Sequence, residues 1–343
     1  MDPLTQGLIG AAAAQGTTGG RLPRAWLVGL LAGMAPDLDV LIRSARDPLL
    51  AIEFHRHFTH ALLFIPLGGL ICALPWLLLR GYRERWRMTL LASTLAVATH
   101  GLLDASTSYG TLLLWPFSST RIGWDWISII DPLFTLCLLA GVIWGGLRRT
   151  RLPALAGLAA ALLYLSLGVL QHGRALAAQE EIAEARGHSI DKGEAFATIG
   201  NNLVWRSLYR SGPMIYADRI RVSWKGEVQW TSGSRVSRVT VADLPEAVSG
   251  DARARHDFER FSWFAGGWVA YPPGDTSVYG DVRYSLQTNA FEPIWGIRLH
   301  PGRDVPVEWI SRTGDRELRL AELWSEILGR SADYQSLQNP SVP

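Results

Sequence analysis

Three imidazoles and a guanidinium stand together in His55-Arg56-His57-Phe58-Thr59-His60. An uncharged apolar run, Ala61 to Leu79, follows at once and is long enough to cross a bilayer. Neutral imidazole is the commonest metal-ligating side chain. Ionisable groups at the mouth of a membrane segment mark a site. Carboxylates with similar settings lie elsewhere: Asp37 and Asp39 after Pro36 with apolar flanks, Asp104 four residues after His100 on one helix face, and Asp131 before Pro132. A His and Asp set suits Zn, Mn or Fe, with carboxylates favouring harder ions. A catalytic zinc needs about three protein ligands and an open position for water. Its bound water has a pKa near neutrality, so hydroxide becomes the nucleophile. A carboxylate left over acts as base, and Arg56 meets an oxyanion or a phosphate through its planar fork.

Plainer roles compete with each assignment. His57 beside a membrane surface reads equally as interfacial. Arg56 reads as a snorkelling arginine, Asp131 as a helix cap, and the Asp37–Asp39 pair as one cap and one solvated carboxylate. His172, His188, His256 and His300 are scattered and read as ordinary. Cys72 and Cys137 sit inside apolar runs and read as structural thiols. The tryptophans of the second half read as core and interface.

The elements that must position these residues follow from hydropathy. Of 343 residues 48% are hydrophobic, but the long apolar runs fall in the first half. Residues 2–15 read as a short or partly inserted helix, with Gly7 and Gly10 allowing close packing. Apolar runs follow at 25–35, 61–79, 88–103, 129–147 and 152–170, with residues 43–54 as a polar connector. No Lys or Arg precedes Arg21, so the start is not expected to be a cleavable signal. Arg21 and Arg24, the loop from Arg80 to Arg87, and Arg148, Arg149 and Arg151 are the basic turns, which the positive-inside rule keeps in the cytoplasm. Tracing the spans then puts Asp37, Asp39, His55 to His60, His100, Asp104, Asp125 and Asp131 on the opposite face, together with everything after residue 171.

The second half alternates as strands do, in Ile220–Trp224, Val236–Val241, Trp268–Tyr271, Val282–Leu286, Pro293–Ile297 and Val305–Ile310. A helix is expected from Arg174 to Arg186, loop over 187–202, a helix from Arg316 to Leu328 and a disordered tail after Ser331. The expected architecture is an α-helical polytopic membrane bundle, residues 1–173, followed by a smaller, mostly antiparallel β (α+β) soluble domain, residues 174–343. The formal net charge of +2, without an arginine-rich face carrying interleaved aromatics, gives no reason to expect nucleic acid as a partner.

Met-Asp-Pro-Leu-Thr-Gln at the start, Pro36-Asp37-Leu38-Asp39, His55-Arg56-x-x-Thr59-His60, His100-x-x-x-Asp104 with Thr107-Ser-Tyr-Gly-Thr, Trp115-Pro-Phe and Ile130-Asp131-Pro132 occur in that order. Together they resemble the YdjM-type inner-membrane metal-dependent hydrolases of bacteria, most closely over residues 1–150. Asn202-Leu-Val-Trp205-Arg206 resembles a segment of longer members. The resemblance implies a multi-pass inner-membrane hydrolase with Asp37, Asp39, His55, His60, His100 and Asp104 as metal ligands and Arg56 and Asp131 as catalytic groups. His57 falls on an x position. Some members carry His where this chain has Gln6, so an amide here takes that place.

The expected activity is therefore membrane-embedded, metal-dependent hydrolysis at the outer face, with zinc as first choice and Mn or Fe as alternatives. The substrate would be a phosphoester or a lipid-linked ester, and the bilayer is the expected partner. Two other readings compete. A metal- or proton-coupled transporter would spread these groups through the membrane depth and favours an inverted repeat, and no internal repeat is found. A membrane-anchored scaffold would use the extracytoplasmic domain for binding, with the His and Asp groups structural.

Overall fold

The computed structural model describes residues 1–285, 287–312, 320–330 and 333–337. The chain divides into two compact units: Met1–Ile42 with Phe54–Val169, and Arg43–Glu53 with Leu170–Pro343.

The first unit is helical. Its α1 (Pro3–Thr18) starts on the Asp2 carboxylate, which accepts from the Thr5 amide, and stops at Gly19 in the left-handed region. Helix α2 (Ala25–Met34) runs into a 3-10 segment, Ala35–Leu41, at Pro36. The short α3 (Leu50–Phe54) precedes two 3-10 turns, Phe58–His60 and Leu62–Phe64. Then come α4 (Ile65–Leu77), α5 (Arg80–Arg83), α6 (Trp86–Ala105) and α7 (Pro132–Arg148). The last starts on the Asp131 carboxylate, with Pro132 in the first turn. Helix α8 (Leu152–Ala185) is continuous through residues 171–173, where separate helices were expected. By length and composition α6 and α8 can cross a membrane. The stretches Leu50–His60 and Leu62–Leu77 make a third candidate if taken as one broken span, and α7 is shorter.

Helices α1, α2 and α6 form the heart of this unit. A Cβ on Gly29 would lie 2.2 Å from the Gly10 carbonyl oxygen, so α1 and α2 meet backbone to backbone. Close approach of small residues is how helices associate where the surroundings are as apolar as their side chains.

The second unit is a β domain. Strands β1 (Lys192–Ala197), β2 (Val204–Ser211), β3 (Met214–Val222) and β4 (Val228–Thr231) pair in order, and β5 (Arg235–Ser237) pairs with β3. Helices α9 (Glu246–Ser249) and α10 (Ala252–Phe264) separate this sheet from a second, of β6 (Val269–Ala270), β7 (Tyr279–Asp281), β8 (Trp295–Leu299) and β9 (Val307–Ser311). Helix α11 (Leu320–Ile327) follows, and β10 (Gln335–Ser336) adds antiparallel to β4. All strand pairings are antiparallel among the described residues.

Residues 192–197, expected as loop, are an edge strand, because its pairing partner β2 supplies order that its own Gly- and Glu-containing sequence does not advertise. The alternating stretch at 282–286 pairs slightly earlier, at 279–281. Part of the tail after Ser331 is β10; residues 331–332 and 338–343, and the first turn of the helix expected from Arg316, lie outside the described residues. Arg206 of the Asn202–Arg206 segment is buried and donates to the carbonyls of Val282, Gln287 and Thr288, and burial pushes its pKa down to about 9. That segment therefore ties the two sheets together. The connector at 43–53 also belongs to this unit: Arg260 of α10 grips Asp47 through two hydrogen bonds and Glu53 through two more.

Gly29→Val forces α1 and α2 apart and should lower stability by about 1–3 kcal/mol, the cost of an overpacked contact. The check is a lower thermal midpoint of the detergent-solubilised protein.

Candidate metal centre

The turn-bearing segments converge at one end of the helical unit. Asp37 and Asp39 come from the 3-10 segment after α2, His60 from the turn before α4, and His100 and Asp104 from successive turns of α6. His60 reaches the centre because residue 101 is glycine: a Cβ there would lie 2.3 Å from the His60 carbonyl oxygen.

Four donor atoms face one another. His60 Nε2 lies 2.9 Å from His100 Nε2, 3.1 Å from Asp104 Oδ2 and 3.4 Å from Asp37 Oδ1. His100 Nε2 lies 3.3 Å from Asp37 Oδ1 and 3.4 Å from Asp104 Oδ2. A tetrahedral ion with bonds of about 2.0–2.1 Å sets its ligand atoms roughly 3.3 Å apart. An octahedral ion of similar bond length sets neighbouring ligand atoms roughly 3.0 Å apart. The spacings match a shared cation. Three of the four side chains are at most 1% exposed, and Asp37 is 19% exposed.

Their tautomers fit too. His100 Nδ1 is 2.5 Å from the Gly33 carbonyl oxygen, so it carries the proton and leaves Nε2 with its lone pair. His60 Nδ1 lies 2.9 Å from Thr59 Oγ1 and 3.2 Å from Asp39 Oδ2, which has the same effect. Two Nε2 lone pairs 2.9 Å apart repel unless a proton or a cation sits between them. Asp104 Oδ2 is buried and faces Arg56 Nε as well as the two imidazoles, while Gln6 Oε1 is buried without a hydrogen-bond partner among the described residues. The residues present therefore fit a divalent metal, which Asp37, His60, His100 and Asp104 could hold.

Asp39 sits behind that set. Its Oδ1 is 2.8 Å from His55 Nδ1, and its Oδ2 accepts from the Arg56 amide and the Thr59 hydroxyl, each at 2.9 Å, and from His60. A carboxylate behind a ligating histidine orients the ring and raises its basicity. Asp37, Asp39 and His55 form a second, overlapping group of ligand-capable atoms.

Arg56 is buried at φ 63°, a backbone conformation that side chains seldom adopt. Its Nε is 3.2 Å from Asp104 Oδ2, and its Nη1 donates to Thr107 Oγ1 and the Asp104 carbonyl. Its guanidinium lies 4.7 Å from the Tyr109 ring, whose surroundings also include Arg121 at 5.4 Å. Arg121 donates to the carbonyls of His55 and Gly110. Gln6 Nε2 donates to Asp104 Oδ1, as does the Met1 amine, so Gln6 orients a candidate ligand.

Asp131 stands apart. Its carboxylate caps α7 through the Leu133 and Phe134 amides and accepts from the Tyr164 hydroxyl. It belongs to neither group of ligand-capable atoms. His57 packs against Phe54, Phe58 and Trp115, away from both groups. Asp125 lies in a loop at φ 58° between the stacked Trp124 and Trp126. Tyr109 and Arg121 escaped the sequence reading. Tyr109 lay within a noted motif, but a lone loop arginine gives no signal until the loop is seen to return to His55.

The YdjM inner membrane protein family matches residues 1–175. The chain is similar to inner membrane protein YbcI of Escherichia coli (strain K12), 32% identical over 116 residues. That similarity takes in 33% of this chain and 66% of the relative, slightly under two thirds of its length. No solved structure matches.

Asp39→Asn keeps the shape but weakens the acceptor behind His60, and should weaken metal binding about 10–100-fold, measured by competition with a chelating dye. Removing metal with a chelator should lower the thermal midpoint. A metal held at 1,000 times its Kd stabilises by about 4 kcal/mol.

Proposed function

Because its match to the YdjM inner membrane protein family takes in residues 1–175 of 343, the chain belongs to that family; from this we propose that it is a membrane-embedded metal-dependent hydrolase acting on a phosphoester or lipid-linked ester at the outer membrane face. The observation that carries this reading is the convergence of two imidazole and two carboxylate donors, spaced 2.9–3.4 Å apart in the contacts given above, beside a buried guanidinium. Zinc is the first choice for such a set, with Mn or Fe as alternatives.

A bound divalent ion supplies a Lewis acid and a water whose pKa falls towards neutrality. The chain does the rest. His60 and His100 present Nε2 because Asp39, Thr59 and Gly33 hold the protons on Nδ1. Asp37, the most accessible of the four donors, can take the proton of an attacking water. Arg56 makes no hydrogen bond through Nη2 among the described residues. This nitrogen shares the guanidinium edge of Nε, which lies beside Asp104 Oδ2. That edge can take an oxyanion or a phosphoryl oxygen bound next to the metal. Meeting at one point favours a fixed centre over the relay through the membrane depth that a carrier would need.

The basic turns after α1, before α6 and after α7 support an orientation with the centre outside and the β domain extracytoplasmic. Protein purified in detergent should contain divalent metal. His100→Ala combined with Asp104→Ala should abolish both metal and phosphoester hydrolysis. Metal-free wild type, or metal retained by the double variant, sinks the reading.

A further inference from the structure

The segments that carry the candidate ligands also carry exposed apolar side chains. In the 3-10 segment Ala35–Leu41 the sequence alternates: Asp37 and Asp39 turn to the centre, while Leu38, Val40 and Leu41 are 63%, 47% and 64% exposed. Three residues beyond His60, Leu63 is 58% exposed. The loop of residues 112–117 lies against both neighbours of that turn, through Leu112 N to the Arg56 carbonyl and Leu62 N to the Leu113 carbonyl. It exposes Leu114 at 46% and Phe117 at 85%.

An apolar rim of this kind, on a water-facing mouth, would be an aggregation liability; on a membrane protein it marks contact with lipid. The ligand-bearing segment is only a few residues long, so its two faces lie within one chain thickness of each other. Whatever surrounds Leu38 and Leu41 is at the depth of Asp37. The chain belongs to an inner-membrane family, which supplies the lipid. We infer that the mouth of the centre lies below the headgroup surface and opens towards the bilayer, so that its substrate is an anionic amphiphile arriving from the lipid with its phosphate at the metal and Arg56. This rests on the hydrolase reading for the reaction, but not for the depth or the binding.

The test uses the full-length chain reconstituted in phosphatidylcholine vesicles and loaded with Co²⁺. Nitroxide labels are placed at residues 38, 41, 63 and 117 in a Cys72→Ala, Cys137→Ala background, with a label at Gly81 in the basic turn as the aqueous control. Retention of Co²⁺ reports that each variant is folded. Labels at the rim should relax several-fold more with oxygen than with a water-soluble nickel chelate, and the label at 81 the reverse. Phosphatidic acid added to the vesicles should shift the Co²⁺ absorption at a bulk concentration at least tenfold below that needed with inorganic phosphate. Rim labels open to the nickel chelate overturn the inference, as does inorganic phosphate acting as well as the lipid. Labels shielded from both reagents overturn it too, since a protein partner then covers the rim. If the lipid shifts the spectrum but is not hydrolysed, the inference stands and the hydrolase reading alone fails.

Discussion

One buried carboxylate organises the centre. Asp39 accepts from His55, the Arg56 amide, Thr59 and His60, four donors drawn from six consecutive residues. That pattern bends the stretch around a single anion. It turns the His60 ring so that Nε2 faces α6, and it compensates the unfavourable backbone at Arg56. Each bond goes to an ionised acceptor whose own side chain is buried, so each is stronger than a neutral surface counterpart. The ligands are thus fixed by a group that is not itself among the four converging donors.

Charge imposes the next constraint. Asp37, Asp39 and Asp104 carry three negative charges, and against them stand the Arg56 guanidinium and the Met1 amine, both on Asp104, which leaves the carboxylates in excess by one. Isolated charges are not stable in so dry a setting. The excess must be met by protons on the imidazoles or by a cation, and two Nε2 atoms pointing at each other leave little room for two protons. A divalent cation would resolve the repulsion and the excess charge together. The same dry surroundings would strengthen any interaction between Arg56 and an incoming anion.

Packing makes the convergence achievable. Backbone contact between α1 and α2 at Gly10 and Gly29 sets the position of Gly33, whose carbonyl fixes the His100 tautomer. The missing side chain at residue 101 admits His60. Both approaches depend on small residues rather than on hydrophobic burial, as expected where the surroundings are lipid. The 3-10 segment is equally sparing, since it turns Asp37 and Asp39 to the centre while leaving Leu38, Val40 and Leu41 exposed.

Much of the centre was legible before any coordinates. Imidazole and carboxylate pressed against apolar runs announce themselves because such placement is expensive without a partner, and His100 with Asp104 declares its shared face through the helical period. Residue spacing also shows that Asp131 precedes a proline, but that its oxygens cap α7 is visible only once the Leu133 and Phe134 amides are in place. Likewise Asp37 and Asp39 are the same residue type two positions apart, and which faces the imidazoles from the front and which from behind depends on a 3-10 twist. Strand β1 and the reach of Arg121 back to His55 needed partners distant in sequence. Local chemistry and periodicity thus show which side chains are costly to place. The role of each is decided by neighbours brought from elsewhere in the chain, because hydrogen-bond direction and donor spacing exist only once those neighbours are in place.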